Sequence, residues 1–588
     1  MDLETLWRAS ARERERERAQ SFLPMDISAV ISTIIVLVLA VLSLPLLNTS
    51  YWSNIRSLLP FTIVSPLADL VVKNATIYTS DASLPFADSM AIRSGRILRV
   101  GSYSSLQDLV HYGTEELDVG GKVVVPGFID SHVHLIPGGL QMVRVELRGV
   151  SQKDEFVRRI KEAARNSKHG CWILGGGWNN DLWGGALPLA SWIDEITPDN
   201  PVWLTRMDGH MGLANSLALK AAGVTKSSED PNGGTIIRNS AGEPSGLLID
   251  SAMELILALI PEASVDERRV ALLRASRYAL TRGVTTVIDF GRYFPGASME
   301  SSWEDLSDVF QWADSSRKMM IRDLIRKGGA SMSEWIHYGG VKAFADGSLG
   351  SGSALFHEPY ADEPQNHGLC VMESDVLLNM TAAADKSGLQ VAVHAIGDKA
   401  NDLVLDIYES VASTNGVRDR RFRIEHAQHL APGAAAHFGQ QRVVASVQPD
   451  HLLDDADSAF KKLGEERAQH GSYLFRSLQE NKARLAFGSD WPVVDVNPLG
   501  SIRTAMKRIP PGWENAWNPS ERVTLVEALD AYTISAAYAC FLDKHLGSLS
   551  PGKLADFVIL STDSWDEFAA EGSASVIATY LGGAKAYP

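Results

Sequence analysis

Two histidines one residue apart have a spacing that suits metal binding. His132 and His134 lie in the segment VVVPGFIDSHVHL, at the end of an apolar run. Because residues i and i+2 of a β-strand point to the same face, both imidazoles project together from the strand end. A buried structural pair is the alternative interpretation, so the spacing alone is a weak indicator of a metal site.

Four further polar side chains close other apolar runs and precede turns. They are Lys342 in GVKAFADGSLGS, His394 in VAVHAIGD, His426 in RIEHAQ and Asp490 in AFGSDWP. Imidazole nitrogens and carboxylates are ligands for zinc and similar divalent ions, and a catalytic site leaves coordination positions for water. Either His394 or His426, taken singly, is typical of a structural histidine. Together with the first pair, the set predicts a site for one or two divalent ions, with zinc expected.

Lys342 is the unusual member of this set. Burial beside metal ions disfavours a charged ammonium and shifts the amine toward its neutral form. A neutral amine can add carbon dioxide, and the resulting carbamate is an anion able to bridge two ions. We therefore predict that Lys342 is carboxylated; the alternatives are a lysine that reaches the surface or pairs with Asp346.

The elements that must position these residues alternate between strand and helix. Apolar runs such as GVTTVIDF, GGVKAFADG and RVVASVQPD are separated by helical stretches such as VDERRVALLRASRYALTRG. Repetition of this unit predicts an α/β fold with parallel strands, and the number of units favours a closed (β/α)8 barrel over residues 126–545. In such a barrel the chemistry lies at the C-terminal strand ends.

Short alternating strands before and after this region predict a second, smaller domain. Valine and isoleucine recur at period two in ADLVVKNATIYT and SMAIRSGRILRVG, with Ser-Gly and Gly-Gly as turn signals. The same texture returns near the C-terminus in GSLSPGKLADFVILSTD. Residues 69–125 and 546–588 are therefore expected to form one small β-sandwich.

The run 27–47 carries no charge and is long enough to cross a bilayer. A secretory signal region or a buried helix is the alternative, but the run is longer than a signal region. We expect a charged tail at 1–26, a single-pass transmembrane anchor at 27–47 and a tether at 48–68. Five arginines before the run and one soon after it place the N-terminus in the cytosol. An endoplasmic reticulum or perinuclear membrane is the expected location.

Composition excludes other classes of function. The net charge is −16, and nucleic-acid binding requires a basic surface, so nucleic acid is not an expected partner. Three cysteines, Cys171, Cys370 and Cys540, cannot build a disulfide framework or a Cys-type zinc finger. Any metal must therefore be bound through nitrogen and oxygen.

The segment from about 139 to 280 is expected to be an insertion that sets specificity. It holds five of the 14 tryptophans, between Trp172 and Trp203. Indole rings provide rigid apolar walls, which suit a pocket for a hydrophobic substrate. A compact lid with its own core is the alternative interpretation.

Two histidines outside the strand ends are candidate catalytic residues. His210 lies in this insertion beside Asp208, and the alternative is a loop turn capped by Asp208. His451 follows the strand-ending Pro449 by two residues, and the alternative is a solvent-facing loop histidine.

Several ordered segments resemble the amidohydrolase superfamily, specifically its YtcJ-like branch. They are PGFIDSHVHL, GVKAFADGSLGS, HAIGDKA, EHAQ, SVQPDHLLDD, FGSDWPV and SPGKLADFVIL, with GGGWNNDLWGGALPLASWID and RMDGHMGLAN for the branch. The resemblance covers roughly residues 69–585. It implies metal-dependent hydrolysis, usually of an amide-like C–N bond in a small molecule.

By this resemblance, five of the residues above are metal ligands and Lys342 is the carboxylated bridge. The five are His132, His134, His394, His426 and Asp490. Asp490 is also expected to act as the general base, accepting a proton from water and passing it to the leaving nitrogen. A membrane-anchored signalling or scaffold protein that keeps the fold without catalysis is the alternative function.

Overall fold

The computed structural model describes residues 67–292, 300–325, 333 and 335–588. The predicted tail and anchor, and all but the last two residues of the tether, lie outside the described residues. Within the described part, no helix combines the length and apolarity that a membrane crossing needs.

Strands and helices are numbered in chain order over the described residues. The strands are β1 Leu70–Lys73, β2 Thr76–Tyr78, β3 Phe86–Ala87, β4 Ser89–Arg93, β5 Arg96–Gly101, β6 Glu115–Asp118, β7 Val123–Pro126, β8 Phe128–Val133, β9 Val145–Glu146, β10 Ile173–Trp178, β11 Val202–Arg206, β12 Met211–Ala214, β13 Gly234–Arg238, β14 Pro244–Asp250, β15 Val284–Asp289, β16 Arg322–Ile325, β17 Ile336–Tyr338, β18 Gly340–Phe344, β19 Gln390–Ala395, β20 Arg423–His426, β21 Val444–Val447, β22 Arg484–Phe487, β23 Phe557–Leu560, β24 Val576–Leu581 and β25 Ala584–Tyr587. The α-helices are α1 Leu135–Gln141, α2 Lys153–Asn166, α3 Ser216–Ala221, α4 Glu254–Leu257, α5 Val265–Thr281, α6 Glu300–Asp305, α7 Gln311–Ser315, α8 Ser374–Lys386, α9 Asp398–Asn415, α10 Ala434–Gln441, α11 His451–Leu463, α12 Glu465–Gly471, α13 Phe475–Glu480, α14 Pro498–Lys507, α15 Leu525–Ala531, α16 Ile534–Ala539 and α17 Trp565–Glu571.

Strands from both ends of the described chain pack together. One sheet has the order β5-β4-β1-β6, and the other has the order β25-β24-β23-β7-β2-β3. The antiparallel pairing of β7 with β23 joins the two ends of the chain, with Val125 opposite Val558. Val72 from the first sheet and Phe557 from the second belong to one buried apolar cluster, so the two sheets share a core.

The parallel strands that carry the candidate site form two sheets, β8-β15-β16-β17 and β18-β19-β20-β21-β22. These pairings do not form the predicted closed barrel, because among the described strands no ladder joins β22 to β8. Two backbone hydrogen bonds cross this edge instead, from Asp490 N–H to the His132 carbonyl (2.6 Å) and from His134 N–H to the Trp491 carbonyl (2.8 Å). The chain leaves strand geometry at Asp490, where φ is +57°, and an isolated parallel bridge between Val133 and Trp491 takes the place of a ladder.

The insertion is a six-stranded sheet with its own core, in the order β13-β14-β12-β11-β10-β9. Its five tryptophans lie in two apolar clusters of the insertion: Trp178, Trp183 and Trp192 in one, Trp172 and Trp203 in the other. They therefore stabilise the insertion itself, which favours the compact-lid interpretation. Helix α5, which the predicted boundaries include, packs instead in the core of the parallel strands.

Candidate metal centre

His132, His134 and Asp490 converge at the adjoining ends of β8 and β22. The Nε2 atoms of both histidines lie 3.4 Å from Asp490 Oδ1, and all three side chains are buried. Two ligand atoms held tetrahedrally at zinc-bond distances of 2.0–2.2 Å are separated by about 3.4 Å. The three groups therefore have the spacing that one divalent ion requires.

A second group shares the Asp490 carboxylate. His426, His451 and Asp490 offer ligand atoms that all lie within 4.8 Å of one another. His451 Nε2 is 3.9 Å from Asp490 Oδ2 and, among the described residues, has no hydrogen-bond partner although it is buried. The solvent-facing interpretation of His451 is therefore wrong, because the first residue of α11 points into the site.

His394 lies against His426, with 4.5 Å between the ring centroids. Its Nε2 is 3.0 Å from the Gly347 carbonyl and 3.6 Å from Asp346 Oδ1, which leaves Nδ1 as the nitrogen available to an ion. The structure thus brings His394 into the same buried cluster but not into either three-residue group.

Each of three ligand candidates is oriented by an acceptor at its Nδ1. His132 is held by Glu425 (2.8 Å), His134 by the Gly291 carbonyl (2.7 Å) and His426 by Gln448 (2.7 Å). An acceptor at Nδ1 keeps the proton there and leaves the Nε2 lone pair for a metal.

The protonation states also suit a cation. Burial lowers the pKa of His132 to about 3, and burial likewise holds the pKa of His394 and of His426 well below the ordinary value. Burial opposes ionisation of Asp490, but the neighbouring His132 and His134 outweigh it and keep its pKa well below the usual range. Neutral imidazoles and one ionised carboxylate are the forms that bind a divalent ion.

Lys342 reaches the same centre from β18. Its Nζ is 3.5 Å from His132 Nε2 and lies over the rings of Phe290 (4.5 Å) and Phe344 (4.9 Å). The side chain is half-buried. The position agrees with that of a ligand to an ion beside His132, whereas the carbamate stays a prediction.

His210 pairs with Asp250, a residue that the sequence analysis missed. His210 Nδ1 is 2.6 Å from Asp250 Oδ1, and both residues are buried. Burial lowers the pKa of His210, but the charge and hydrogen bond of Asp250 prevail and raise it. The carboxylate of Asp208 accepts a hydrogen bond from the backbone N–H of His210 (3.2 Å). The predicted turn-capping contact is therefore present, and the imidazole ring still faces the site. The signal for Asp250 was available, since it closes the apolar run GLLID.

A small polar cavity opens onto this cluster. His210, His394, His426, His451 and Asp490 line it. No tryptophan of the described residues does so, and the predicted tryptophan-walled pocket is therefore not found at the ligands themselves.

Glu425 is a second residue that the sequence analysis missed. It is fully buried on β20, and Arg423 donates to both its carboxylate oxygens, at 2.7 and 3.0 Å. An acidic residue inside the short strand RIEH was the available signal, because a buried carboxylate requires a partner.

Buried histidines and a shared aspartate at the ends of parallel strands define the class of metal-dependent hydrolases. The chain matches the family model described as amidohydrolase family over residues 115–587 and belongs to that family. The family predicted from the sequence is confirmed.

Two relatives and one solved structure illustrate the relationship. The chain is 66% identical to Protein LONG AFTER FAR-RED 3 of Arabidopsis thaliana over 95% of this chain and 98% of that protein. It is 32% identical to Putative amidohydrolase YtcJ of Bacillus subtilis (strain 168), over 83% and 93%. It is similar to the crystal structure of an uncharacterized metal-dependent hydrolase from Pyrococcus horikoshii OT3, with a TM-score of 0.67, 28% identity, and coverage of 84% of this chain and 97% of that one.

Removal of divalent ions is expected to lower the thermal midpoint of unfolding, because a ligand that binds only the folded state stabilises it. An ion at a thousandfold excess over its Kd contributes about 4 kcal/mol. Differential scanning fluorimetry with EDTA, followed by added zinc, measures the change. His134→Gln should abolish the response, whereas His470→Gln, at a side chain 67% exposed on α12, should keep it. An unchanged midpoint in the wild-type protein would contradict a metal centre here.

Proposed function

We propose that this protein is a metal-dependent hydrolase that cleaves an amide-like, non-peptide C–N bond of a small molecule. The observation that carries the proposal is the Asp490 carboxylate, which lies 3.4 Å from two buried imidazole nitrogens. Membership of the amidohydrolase family supports hydrolysis. The small polar cavity beside the ligands supports a small substrate rather than a polypeptide.

The residues that would hold the metal fall into two sets. His132, His134 and Asp490 form the first, and the second is His394, His426 and a carboxylated Lys342. The two parallel sheets would act as arcs of one (β/α)8 barrel that presents both sets at one end. We propose zinc, because the ligands are nitrogen and oxygen atoms in a closely spaced group. A bound divalent ion supplies Lewis acidity: it lowers the pKa of water and polarises a carbonyl.

The protein's own groups move the protons. Asp490, held ionised, accepts a proton from the attacking water and passes it to the leaving nitrogen, which departs as a neutral amine. His210, whose Nδ1 is fixed by Asp250, presents Nε2 to the cavity and donates a hydrogen bond to the substrate carbonyl oxygen as negative charge develops there. His451 lies beside the second oxygen of Asp490 and assists the same proton transfer.

The direct test is a screen of the metal-loaded full-length protein against amides, lactams and esters, with release of the amine or alcohol as the readout. We expect amine release from at least one class of amide or lactam, and none from the chelated protein. Cleavage of esters alone would show that the C–N assignment is wrong.

Asp250→Asn is expected to lower kcat by about 100-fold with little change in KM, because His210 loses the anion that keeps it a donor. Asn has nearly the same size and shape as Asp, so the substitution changes the charge and not the packing at this position, where φ is 47°. Steady-state kinetics on the best substrate, with metal content by atomic absorption, measure the effect. Asp230→Asn, at an exposed ion pair with Arg238 in the same insertion, is the matched control. An equal loss of kcat in both variants would show that Asp250 has no specific role in the mechanism.

A signalling or scaffold role without catalysis is the second candidate. The observation that favours it is 66% identity to a protein whose name refers to far-red light and to no reaction. Metal content separates the two functions: a purified protein without metal, and a biological output unchanged by Asp490→Asn, would favour the scaffold.

We also propose that residues 27–47 anchor the protein in an endoplasmic reticulum or perinuclear membrane with the enzyme body on the lumenal side. Asn74 and Asn379 lie in Asn-x-Thr sequons and are exposed. Glycosidase treatment of microsomes should shift the protein on a gel. If the sequons are unmodified and a protease reaches the enzyme body from the cytosol, the proposed orientation is wrong.

A further inference from the structure

A second, larger cavity adjoins the polar one and is bounded by different parts of the chain. It has a volume of about 470 Å³ and lies between the insertion and the region around α1. Arg206, Met207 and Val493 line both cavities, so the larger space is adjacent to the candidate metal centre. We call the larger space the side cleft.

The walls of the side cleft are largely apolar. Leu174 and Trp203 come from the insertion sheet, Leu257 and Ile260 from α4 and the residues after it, and Leu140 from α1. A concave apolar space beside a reactive centre is the common form of a site for the non-reacting part of a substrate.

Trp203 supplies an unused polar atom on this wall. The residue is 3% exposed, and its indole Nε1 has no hydrogen-bond partner among the described residues. A buried N–H without an acceptor is costly, but this atom has almost no exposed surface, so a ligand in the side cleft does not reach it. The Trp203 ring covers Gly212 of the neighbouring strand, which fixes the ring in place.

Four arginines line the side cleft, and three of them have carboxylate partners. Arg148 lies 3.5 Å from Asp454, Arg206 lies 2.7 Å from Asp208, and Arg292 lies 2.6 Å from Asp305.

Arg144 differs from these three, because it is exposed and has no ion partner within 4.0 Å in the part of the chain that the structure describes; the carboxylate of Glu267 acts on its charge from farther away. Glu254, also on the wall, has no ion partner within 4.0 Å among the described residues.

We propose that the side cleft binds the non-reacting part of the substrate, and that this part is a large apolar or aromatic group that ends in a carboxylate held by Arg144. The inference rests on the proposed function and gives it a substrate class: an amide with an acidic, hydrophobic substituent. Arg144 is the specificity-determining residue, because a guanidinium pairs with a carboxylate through charge-assisted hydrogen bonds.

Equilibrium binding tests the side cleft without any need for turnover. Isothermal titration calorimetry on the full-length protein would compare 4-phenylbutyrate, 4-phenylbutanol and 4-phenylbutylamine, which hydrolysis cannot alter. We expect the carboxylate to bind about tenfold more tightly than the alcohol, and the amine to bind most weakly. Arg144→Gln should remove the tenfold higher affinity for the carboxylate and leave the affinity for the alcohol unchanged.

Two further variants make the result specific. Arg165→Gln, at an exposed arginine of α2 outside the cleft lining, is the matched control and should retain the tenfold preference. Leu257→Gln should weaken the binding of the carboxylate and of the alcohol by the same factor, roughly fivefold.

The inference is overturned if the amine binds most tightly or if the acid and the alcohol bind equally. It is also overturned if Arg144→Gln and Arg165→Gln have equal effects. Failure of the proposed hydrolysis would appear in the amide screen and not in these titrations.

Discussion

Asp490→Asn is expected to abolish hydrolysis, with a loss of at least about 1000-fold in kcat/KM. The carboxylate has two tasks at once, because Oδ1 lies 3.4 Å from the Nε2 atoms of His132 and His134, while Oδ2 lies near His451. An amide keeps the shape of the side chain but loses the negative charge that attracts the ion and the basic oxygen that accepts a proton. Kinetics with the best substrate and metal analysis of the purified variant measure both losses.

The control for this experiment is Asp495→Asn, the same chemical change five residues further along the chain. Asp495 accepts from the Tyr278 hydroxyl at 2.6 Å and pairs with Arg282 at 3.0 Å, and it belongs to neither group of candidate ligands. We expect this variant to retain metal and activity. Full activity of Asp490→Asn would exclude Asp490 as the general base. A loss of stability with activity unchanged would show that the metal has a structural role only.

Glu425→Gln is expected to destabilise the fold by about 3–5 kcal/mol, because it leaves the buried charge of Arg423 without its carboxylate. Both side chains are fully buried, and the guanidinium donates to Glu425 at 2.7 and 3.0 Å. The same carboxylate holds Nδ1 of His132, so metal affinity should fall by about 10–100-fold as the ring loses its orientation. Urea denaturation with and without zinc, together with a zinc titration, separates the two effects.

Glu155→Gln is the matched control for the buried pair. Glu155 accepts from Arg158 at 2.6 and 2.9 Å, but this arginine and glutamate are exposed on α2. Water replaces the lost interactions at such a site, so the expected loss is below about 1 kcal/mol. Equal effects of Glu425→Gln and Glu155→Gln would contradict a buried, uncompensated Arg423.

The positions of the candidate ligands could be predicted because strand ends are a local property of the sequence. The predicted strand ends bring most of the candidate ligands to one edge of a sheet, although Lys342 lies inside β18 and not at its end. The distances between the ligand atoms of His132, His134 and Asp490 come from the structure and not from the sequence.

The closed barrel was predicted, but the strand pairings do not give it. Strand count and alternation are periodic features, but pairing between the first and last strands depends on the backbone around Asp490, which leaves strand geometry. The side cleft could not be predicted from the sequence, because it also depends on contacts between distant segments. Its walls come from the insertion and from α1, so neither segment alone indicates an apolar space.

What the sequence by itself determined is the chemistry of the site: nitrogen and oxygen ligands, their order along the chain, and the α/β elements that carry them. Tertiary structure alone decided which atoms face each other, because such contacts join segments far apart in the chain. Glu425 reaches His132 across 293 positions, and Asp250 reaches His210 across 40. No local period encodes such distances. Burial lowers the pKa of His132, and the neighbouring histidines keep Asp490 ionised against the effect of its own burial.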